Sequence, residues 1–164
     1  MRQIHPIPPV YDAHSTVLIL GSFPSVKSRE TGFFYGHAQN RFWRVTAAVF
    51  GCPVPATIPE KRAFLLKNRI ALWDVLAACD IDGSADASIR DACPNDLAPI
   101  LAAAPITRIF TNGAAADALY TRWQLPTVGI PAVRLPSTSP ANAAWSLERL
   151  IDACLLYTSP SPRD

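Results

Sequence analysis

The sequence predicts a single-domain α/β protein whose parallel strands are joined by helical crossovers. Four short apolar runs alternate along the chain with segments of helical periodicity, and this alternation is typical of parallel sheets with right-handed crossovers. The length of 164 residues fits one domain. Because 49% of the residues are hydrophobic and 17% are charged, the chain has enough apolar surface to bury a core.

The strands are predicted from continuous apolar stretches. Thr16-Val-Leu-Ile-Leu-Gly21 is apolar after its first residue and ends at a glycine, which indicates a strand buried on both faces. The same argument predicts three later strands, at Ile70–Val75, Arg108–Thr111 and Ala132–Leu135.

The helices are predicted from apolar spacing and from terminal signals. Apolar residues recur at helical spacing from Phe42 to Phe50, and Gly51 then ends the pattern. Thr57 and Glu60 form a capping box that opens a helix running to about residue 68.

Two more helices complete the pattern. Asn95 is predicted to cap a helix through Leu101, and Ser139-Pro140 is predicted to open the last helix, which runs to Cys154. Residues 155–164 break the helical period and carry two prolines in a polar stretch. We therefore expect a domain of residues 1–154 followed by a non-native tail at 155–164, with the native C-terminus missing.

Composition and terminal sequence also bear on the cellular compartment. No apolar run of about 18 residues occurs, and Met1–Pro6 lacks the apolar core of a signal peptide. The four cysteines form no C-x-x-C pair, and the histidines form no HExxH pattern. The sequence thus predicts a cytoplasmic protein without a membrane segment, a monomer that needs no metal and no cofactor.

Charge is distributed unevenly although the formal net charge is only +2. The stretch from Pro24 to Ile70 is rich in lysine and arginine, whereas the stretch from Asp74 to Asp96 is rich in aspartate. A polyanion is expected to approach the first stretch rather than the second. A mixture of solvated helix faces remains the alternative interpretation.

Polar residues follow the predicted strands. They stand at Gly21–Ser25 after the first strand, at Asn112-Gly113 after the third and at Pro136–Pro140 after the fourth. Because ligands of open parallel sheets bind at the carboxyl ends of the strands, these residues are expected to line one site. With the loop Phe33–Trp43, that site is predicted to be aromatic, rich in amides and poor in carboxylates.

Five motifs at these places resemble those of the uracil-DNA glycosylase superfamily, most closely the hypoxanthine-DNA glycosylase (DNA-deoxyinosine glycosylase) family. They are Gly21–Ser25, Gly36–Trp43, Ile70–Val75, Thr111–Gly113 and Leu135–Asn142. The resemblance implies a three-layer α/β/α sandwich with a central four-stranded parallel sheet. It further implies a monofunctional DNA glycosylase that binds DNA containing a deaminated base, flips that base out and hydrolyses its N-glycosidic bond in base excision repair. Hypoxanthine is favoured, with uracil or xanthine as alternatives.

The resemblance makes Asn40 the expected catalytic residue, holding the attacking water with its carbonyl oxygen. Capping of the helix that starts at Phe42 is the alternative role. Asn112 offers both a donor and an acceptor, which match the lactam edge that hypoxanthine and uracil share. Its discrimination against adenine requires neighbours that lock the amide, and a simple turn at Asn112-Gly113 is the alternative.

Flipped bases are read by edge hydrogen bonds and by stacking on aromatic rings. Phe23, Phe34 and Tyr35 are therefore predicted base contacts, and Ser22 and Phe23 are expected to offer backbone N–H groups to a base carbonyl. His37 is a candidate for contact with the leaving group or a phosphate.

DNA contacts are predicted at two basic residues close to Asn40, which would meet backbone phosphates, and in the loop after the fourth strand, where the resemblance places Thr138 and Asn142 near the gap left by the flipped nucleotide. These residues are Arg41, Arg44, Ser137, Thr138, Ser139 and Asn142. Helical N–H groups after Ser139 are expected to favour a phosphate, and ordinary N-capping by Ser139 is compatible with that role.

Two other classes of protein remain as alternatives. One is a nucleotide-binding α/β module that uses Gly21–Ser25 as a phosphate loop, although neither glycine-rich phosphate motif occurs. The other is a damaged-DNA binding protein without catalysis. Incubation with DNA containing a deaminated base separates both from a glycosylase.

Overall fold

The computed structural model describes residues 1–155 and contains the predicted parallel sheet. Its four strands lie in the order β3-β2-β6-β7, and every neighbouring pair is parallel. The strands are β2 (Val17–Gly21), β3 (Ile70–Asp74), β6 (Arg108–Asn112) and β7 (Ala132–Leu135). All four strand predictions are confirmed to within one residue at either end.

Helices cover both faces of this sheet. They are α1 (Val26–Thr31), α2 (Phe42–Phe50), α3 (Ile58–Lys67), α4 (Ala98–Ala103), α5 (Ala114–Trp123), α6 (Leu125–Val128) and α7 (Leu147–Cys154). Val17 and Ile19 of β2 belong to one buried cluster, and Leu18 and Leu20 belong to another. Because successive side chains of a strand point to opposite faces, two clusters on one strand define three layers.

A second sheet was not predicted. It is antiparallel, in the order β1-β4-β5, and consists of β1 (Arg2–Ile4), β4 (Leu76–Asp80) and β5 (Arg90–Pro94). The loop between β4 and β5 carries a short 3-10 turn at Asp86–Ser88. Strand β4 begins two residues after the end of β3. The second sheet therefore places the β4–β5 loop beside the carboxyl ends of the parallel strands.

Two predictions of helix starts are wrong. The last helix begins at Leu147 with Ser146 as its N-cap, not at Ser139. Asn95 does not cap α4, because its buried side chain donates instead to the backbone oxygens of Asp74 and Leu76. Asp96 accepts from the Ala98 N–H in its place.

The predicted tail at 155–164 lies outside the described residues except for Leu155. Within the part of the chain that the structure describes, none of the helices is long and apolar enough to span a membrane.

Candidate active site

A cavity of about 110 Å³ opens at the carboxyl ends of the parallel strands. This space exceeds the roughly 10 to 15 Å³ that one water needs. Its walls come from the carboxyl ends of β2, β3 and β6 and the segments that follow β2 and β7, from the β4–β5 loop and from the loop before α2. The lining residues are Gly21, Ser22, Phe23, Pro24, Ser25, Ser28, Phe34, Tyr35, Asn40, Asp74, Ser84, Asp86, Asn112, Ser137, Thr138 and Ser139.

Asn40 and Asn112 meet in this cavity through Thr138. The Asn112 Nδ2–H donates to Thr138 Oγ1 over 3.0 Å, and the Thr138 hydroxyl donates to Asn40 Oδ1 over 2.9 Å. The structure therefore brings the two predicted amides together. It also shows that Thr138, which was predicted to contact DNA, is 2% exposed and joins the two amides instead.

Backbone N–H groups fix the orientation of both amides. The Thr138 N–H donates to Asn112 Oδ1 over 3.1 Å, and the Phe42 N–H donates to Asn40 Oδ1 over 2.9 Å. Since a backbone N–H can only donate, the oxygen of each amide must face it and the nitrogen must face away. The N-cap residue of α2 is Arg41, which makes no side-chain cap hydrogen bond, so Asn40 fills the capping role only in part, by accepting from the first helical N–H.

In this geometry the Asn40 atom that can bind a water differs from the predicted one. The prediction gave that task to the carbonyl oxygen, but the oxygen already accepts from Phe42 and Thr138. Among residues 1–155, Asn40 Nδ2 makes no hydrogen bond, so the nitrogen is the atom that remains for a ligand.

The floor of the cavity contains a buried carboxylate that the sequence analysis did not single out. Asp74, the last residue of β3, is 4% exposed, and its Oδ2 lies 2.7 Å from His5 Nε2. A Cβ on Gly21 would stand 2.4 Å from Asp74 Oδ1 and 3.2 Å from the Tyr35 hydroxyl. A glycine is therefore required at position 21 for the two polar groups to approach the strand end.

A second carboxylate stands at the mouth of the cavity. Asp86 is exposed as a residue, but its Oδ1 accepts from the Ser22 hydroxyl over 2.7 Å. Burial of its carboxyl raises the pKa of Asp86, the Ser22 hydrogen bond lowers it, and the charge of Asp74 raises it further. The expectation of a site poor in carboxylates is wrong, because the β4–β5 loop folds an aspartate of the acidic stretch onto the site.

The predicted aromatic contacts all line the cavity, in different ways. Phe23 is 8% exposed, and its ring meets the His5 ring edge-on at 5.8 Å. Phe34 is 2% exposed and packs against Phe33 at 5.4 Å. The Tyr35 ring stacks on Phe42 at 4.2 Å, which covers one of its faces.

The Tyr35 hydroxyl is the polar part of that side chain. It is buried and makes no hydrogen bond to any residue that the structure describes. Burial and the charge of Asp74 raise the pKa of Tyr35 well above its usual value, which the nearby Asn112 amide offsets only in part. The hydroxyl therefore keeps its proton and is a donor without an acceptor.

Arg41 is an internal brace for the loop after β7. Its guanidinium donates to the backbone oxygens of Thr138, Ser139, Asn142 and Trp145. The predicted phosphate contact of Arg41 is therefore wrong, since these carbonyls occupy most of its N–H groups.

The loop itself is closed by its own polar side chains. Ser137 Oγ accepts from the Ser139 N–H, Ser139 Oγ accepts from the Ala141 N–H, and Asn142 Nδ2–H donates to the Ser137 oxygen. The predicted phosphate site at a helix N-terminus is wrong, because α7 begins seven residues after Pro140. Ser137 and Ser139 nevertheless line the cavity.

An outer groove adjoins the cavity and shares Asp86, Ser137 and Ser139 with it. The exposed side chain of Arg134, on β7, lines this groove. Arg44 is also exposed, in the first turn of α2.

His37 is exposed and lies outside the cavity. Its Nδ1 accepts from the Gln39 N–H, so its predicted contact with the leaving group is wrong.

Comparison with known proteins identifies the class to which this fold and cavity belong. The family model of the uracil DNA glycosylase superfamily matches residues 8–157. The chain therefore belongs to the uracil DNA glycosylase superfamily. It is a DNA glycosylase, and its substrate is DNA.

Similar individual proteins agree with this assignment. A Methanosarcina acetivorans protein named hypoxanthine DNA glycosylase is 36% identical over 144 residues, which are 87% of this chain and 90% of the relative. A Methanosarcina barkeri protein of the same name is 36% identical over 108 residues, 65% of this chain and 68% of the relative.

A solved structure is similar over nearly the whole chain. It is the solution NMR structure of a candidate uracil DNA glycosylase from M. acetivorans, with a TM-score of 0.79 and 31% identity, and the match covers 97% of this chain and 100% of the other. The predicted family, fold class and enzyme class are confirmed.

Sequence reasoning missed three charged or titratable side chains at the site, namely His5, Asp74 and Asp86. Asp74 had a usable signal, because a charged residue at the end of a buried apolar strand is costly to bury without a function or a partner. His5 had none, since it is 69 residues away from Asp74 along the chain.

Proposed function

We propose that this glycosylase excises hypoxanthine from DNA, acting as a monomer through the single domain of residues 1–154. The observation that carries the choice of a deaminated base over adenine is the fixed orientation of Asn112. Its Oδ1 faces the Thr138 N–H, so Nδ2 is the amide atom presented to a ligand. A hydrogen-bond donor at this place pairs with the acceptor O6 of a deaminated purine, whereas it would face another donor in the amino group of adenine. The choice of hypoxanthine among the deaminated bases is supported by the names of the two relatives.

The proposed reaction is hydrolysis of the bond between C1′ of the sugar and N9 of the base. The electron pair of that bond goes to the departing base, a water oxygen bonds to C1′, and the water gives up a proton to solvent. Asn40 positions the water through Nδ2, the atom that neither Phe42 nor Thr138 occupies. Orientation of a water needs no charged base when the sugar is oxocarbenium-like, and positioning alone contributes substantially to the rate.

Protein donors stabilise the base as it leaves. Negative charge spreads over the ring nitrogens and O6 of the departing purine, and preorganised N–H and O–H groups stabilise such charge most effectively in a site that excludes water. Asn112 and Tyr35 line the cavity and supply two such donors, the Asn112 Nδ2 and the Tyr35 hydroxyl. Phe23 and Phe34 supply the apolar wall against which the base lies.

The test is an excision panel. Duplexes that contain deoxyinosine, deoxyuridine, deoxyxanthosine or only the normal bases are incubated with the protein, and abasic sites are revealed by alkaline cleavage. We expect the fastest cleavage with deoxyinosine and none with deoxyadenosine. Faster excision of uracil than of hypoxanthine would contradict the base assignment.

Two exposed arginines are expected to contact the DNA backbone. Arg44→Gln and Arg134→Gln should each reduce the slope of log Kd against log salt by about 0.9, because each removes one cation from the phosphates. The measurement is duplex binding between about 50 and 200 mM salt. Arg122→Gln is the matched control, because Arg122 lies over the Trp123 ring at 4.8 Å and lines neither the cavity nor the outer groove. An unchanged slope in both variants would exclude these contacts.

A further inference from the structure

We propose that Asp74 reads the N1–H of the flipped deaminated base, while Asn112 reads only its O6. The inference rests on the proposed function and makes Asp74 a specificity-determining residue of the same cavity. It replaces the expectation that one amide supplies both the donor and the acceptor.

Asp74 has an oxygen available to a ligand. The carboxylate lines the cavity, and its Oδ2 accepts from His5 Nε2 over 2.7 Å. Within residues 1–155 its Oδ1 accepts no hydrogen bond. A carboxylate oxygen in a largely buried setting gains from an N–H donor, since burial of an ionised group without partners is costly.

His5 is the hydrogen-bond partner of this carboxylate. The Ile7 N–H donates to His5 Nδ1 over 3.1 Å, so Nδ1 carries no proton and the proton of the neutral ring is on Nε2. Nε2–H therefore donates to Asp74. The His5 ring is held between Phe23 and Trp73, with centroids at 5.8 and 6.1 Å.

Asn112 cannot take the place of that acceptor. Its oxygen faces the Thr138 N–H, and one of its two Nδ2 hydrogens is donated to Thr138 Oγ1. Its second Nδ2 hydrogen is close to the Tyr35 hydroxyl but makes no further hydrogen bond within residues 1–155, so the residue presents a donor to the cavity.

The Tyr35 hydroxyl provides a second donor beside Asp74. It is buried without a partner in the described chain, and it and Asp74 Oδ1 both lie within 3.2 Å of the point where a Cβ of Gly21 would stand. The floor thus offers two donors and one acceptor. A lactam edge offers the complement, an O6 with two lone pairs and an N1–H.

Adenine presents the reverse pattern at the same edge. Its amino group would face the N–H of Asn112, and its N1 lone pair would face the carboxylate of Asp74. Both contacts are repulsive or unpaired, and a site built of buried polar groups rejects such a base strongly.

The test compares binding rather than turnover. Duplexes carry either 2′-fluoro-2′-deoxyinosine, whose fluorine suppresses cleavage, or a tetrahydrofuran abasic analogue at the same place. In Asp74→Asn the His5 Nε2–H needs an acceptor and orients the new amide oxygen toward itself, so an N–H faces the base. The preference for the fluorinated deoxyinosine duplex over the abasic duplex is expected to fall about tenfold or more.

Controls separate this inference from the proposed function. Asp152→Asn makes the same chemical change on α7, at an exposed residue outside the cavity, and should keep the wild-type preference. A wild-type protein that excises hypoxanthine, with an unchanged preference in a folded Asp74→Asn, overturns the inference alone. A wild-type protein that neither excises hypoxanthine nor prefers its duplex overturns the proposed function as well.

A measurement on the wild type covers the case in which Asp74→Asn does not fold. A duplex with 1-methyl-2′-deoxyinosine lacks the N1–H that Asp74 accepts. We expect the single-turnover excision rate to fall about tenfold or more relative to deoxyinosine. Equal rates for the two bases would overturn the inference.

Discussion

Asn40→Ala is expected to lower the single-turnover rate of hypoxanthine excision by about 100- to 1000-fold, the range found when one preorganised polar group is removed from an active site. The alanine has no Nδ2 to position the water and no Oδ1 to accept from Thr138. The same change removes the acceptor for the Phe42 N–H at the start of α2, which costs about 1 kcal/mol of stability. Rates are measured with enzyme in excess over the deoxyinosine duplex, and stability by thermal unfolding.

Asn40→Ser separates catalysis from capping. Serine is a good helix cap, so this variant should unfold close to the wild-type temperature. It lacks the amide nitrogen, and its rate should therefore remain low. Wild-type excision by Asn40→Ser would show that the residue acts only as a cap and would remove the catalytic role.

Thr138→Val is expected to lower the excision rate about 100-fold, because one hydroxyl holds both amides. The substitution keeps the shape of the side chain but removes the donor to Asn40 and the acceptor for Asn112. Two buried polar contacts are lost, and leaving such groups unpaired costs about 1 to 3 kcal/mol of stability. The Thr138 N–H still donates to Asn112 Oδ1, so the Asn112 amide should keep its orientation.

Thr138→Ser is the matched control, since it retains the hydroxyl and loses only a methyl group. We expect its rate to stay within a few-fold of the wild type. If Thr138→Val excises hypoxanthine as fast as Thr138→Ser, the bridge between the two amides has no part in the reaction. A rate loss in Thr138→Val that tracks only the unfolded fraction would point to the same conclusion.

Most of the central sheet was predictable because β2, β3 and β6 are largely buried on both faces, whereas the edge strand β7 exposes Val133 and Arg134. A strand such as β2, with every residue buried, needs an unbroken apolar run, and few other structures require one. The antiparallel sheet gives no such signal. Its strands β4 and β5 contain alanine, aspartate and proline, and their pairing is irregular between Leu76 and Asp80.

The start of the last helix illustrates a tertiary contact that overrides local sequence. Apolar spacing extends back to Ala143, and Ser139-Pro140 has the composition of a helix start. In the structure, however, residues 139–145 form turns, and the oxygens of Ser139, Asn142 and Trp145 accept from the distant Arg41 guanidinium. A sequence window around residue 140 contains no information about that arginine.

For the candidate site as well, the sequence predicted some features and not others. Asn40, Asn112 and the aromatic residues were found because they follow predicted strands or carry the family resemblance. Their exact partners were not found, since the bridge by Thr138 and the orientation of each amide depend on backbone N–H groups from distant loops. Predicted surface roles for Arg41 and Thr138 failed for one reason, which is that polar residues in a loop were assumed to face solvent.

The order of the strands in the sheet has a consequence for protein synthesis. The cavity combines Asp74, which His5 holds by a hydrogen bond, with Asn112 and Thr138, so its parts come from widely separated places along the chain. Nascent chains emerge from their N-terminus, and contacts between residues so far apart form late. A growing fragment that ends before Thr138 lacks part of the cavity, so excision activity should appear only after Thr138 has been synthesised.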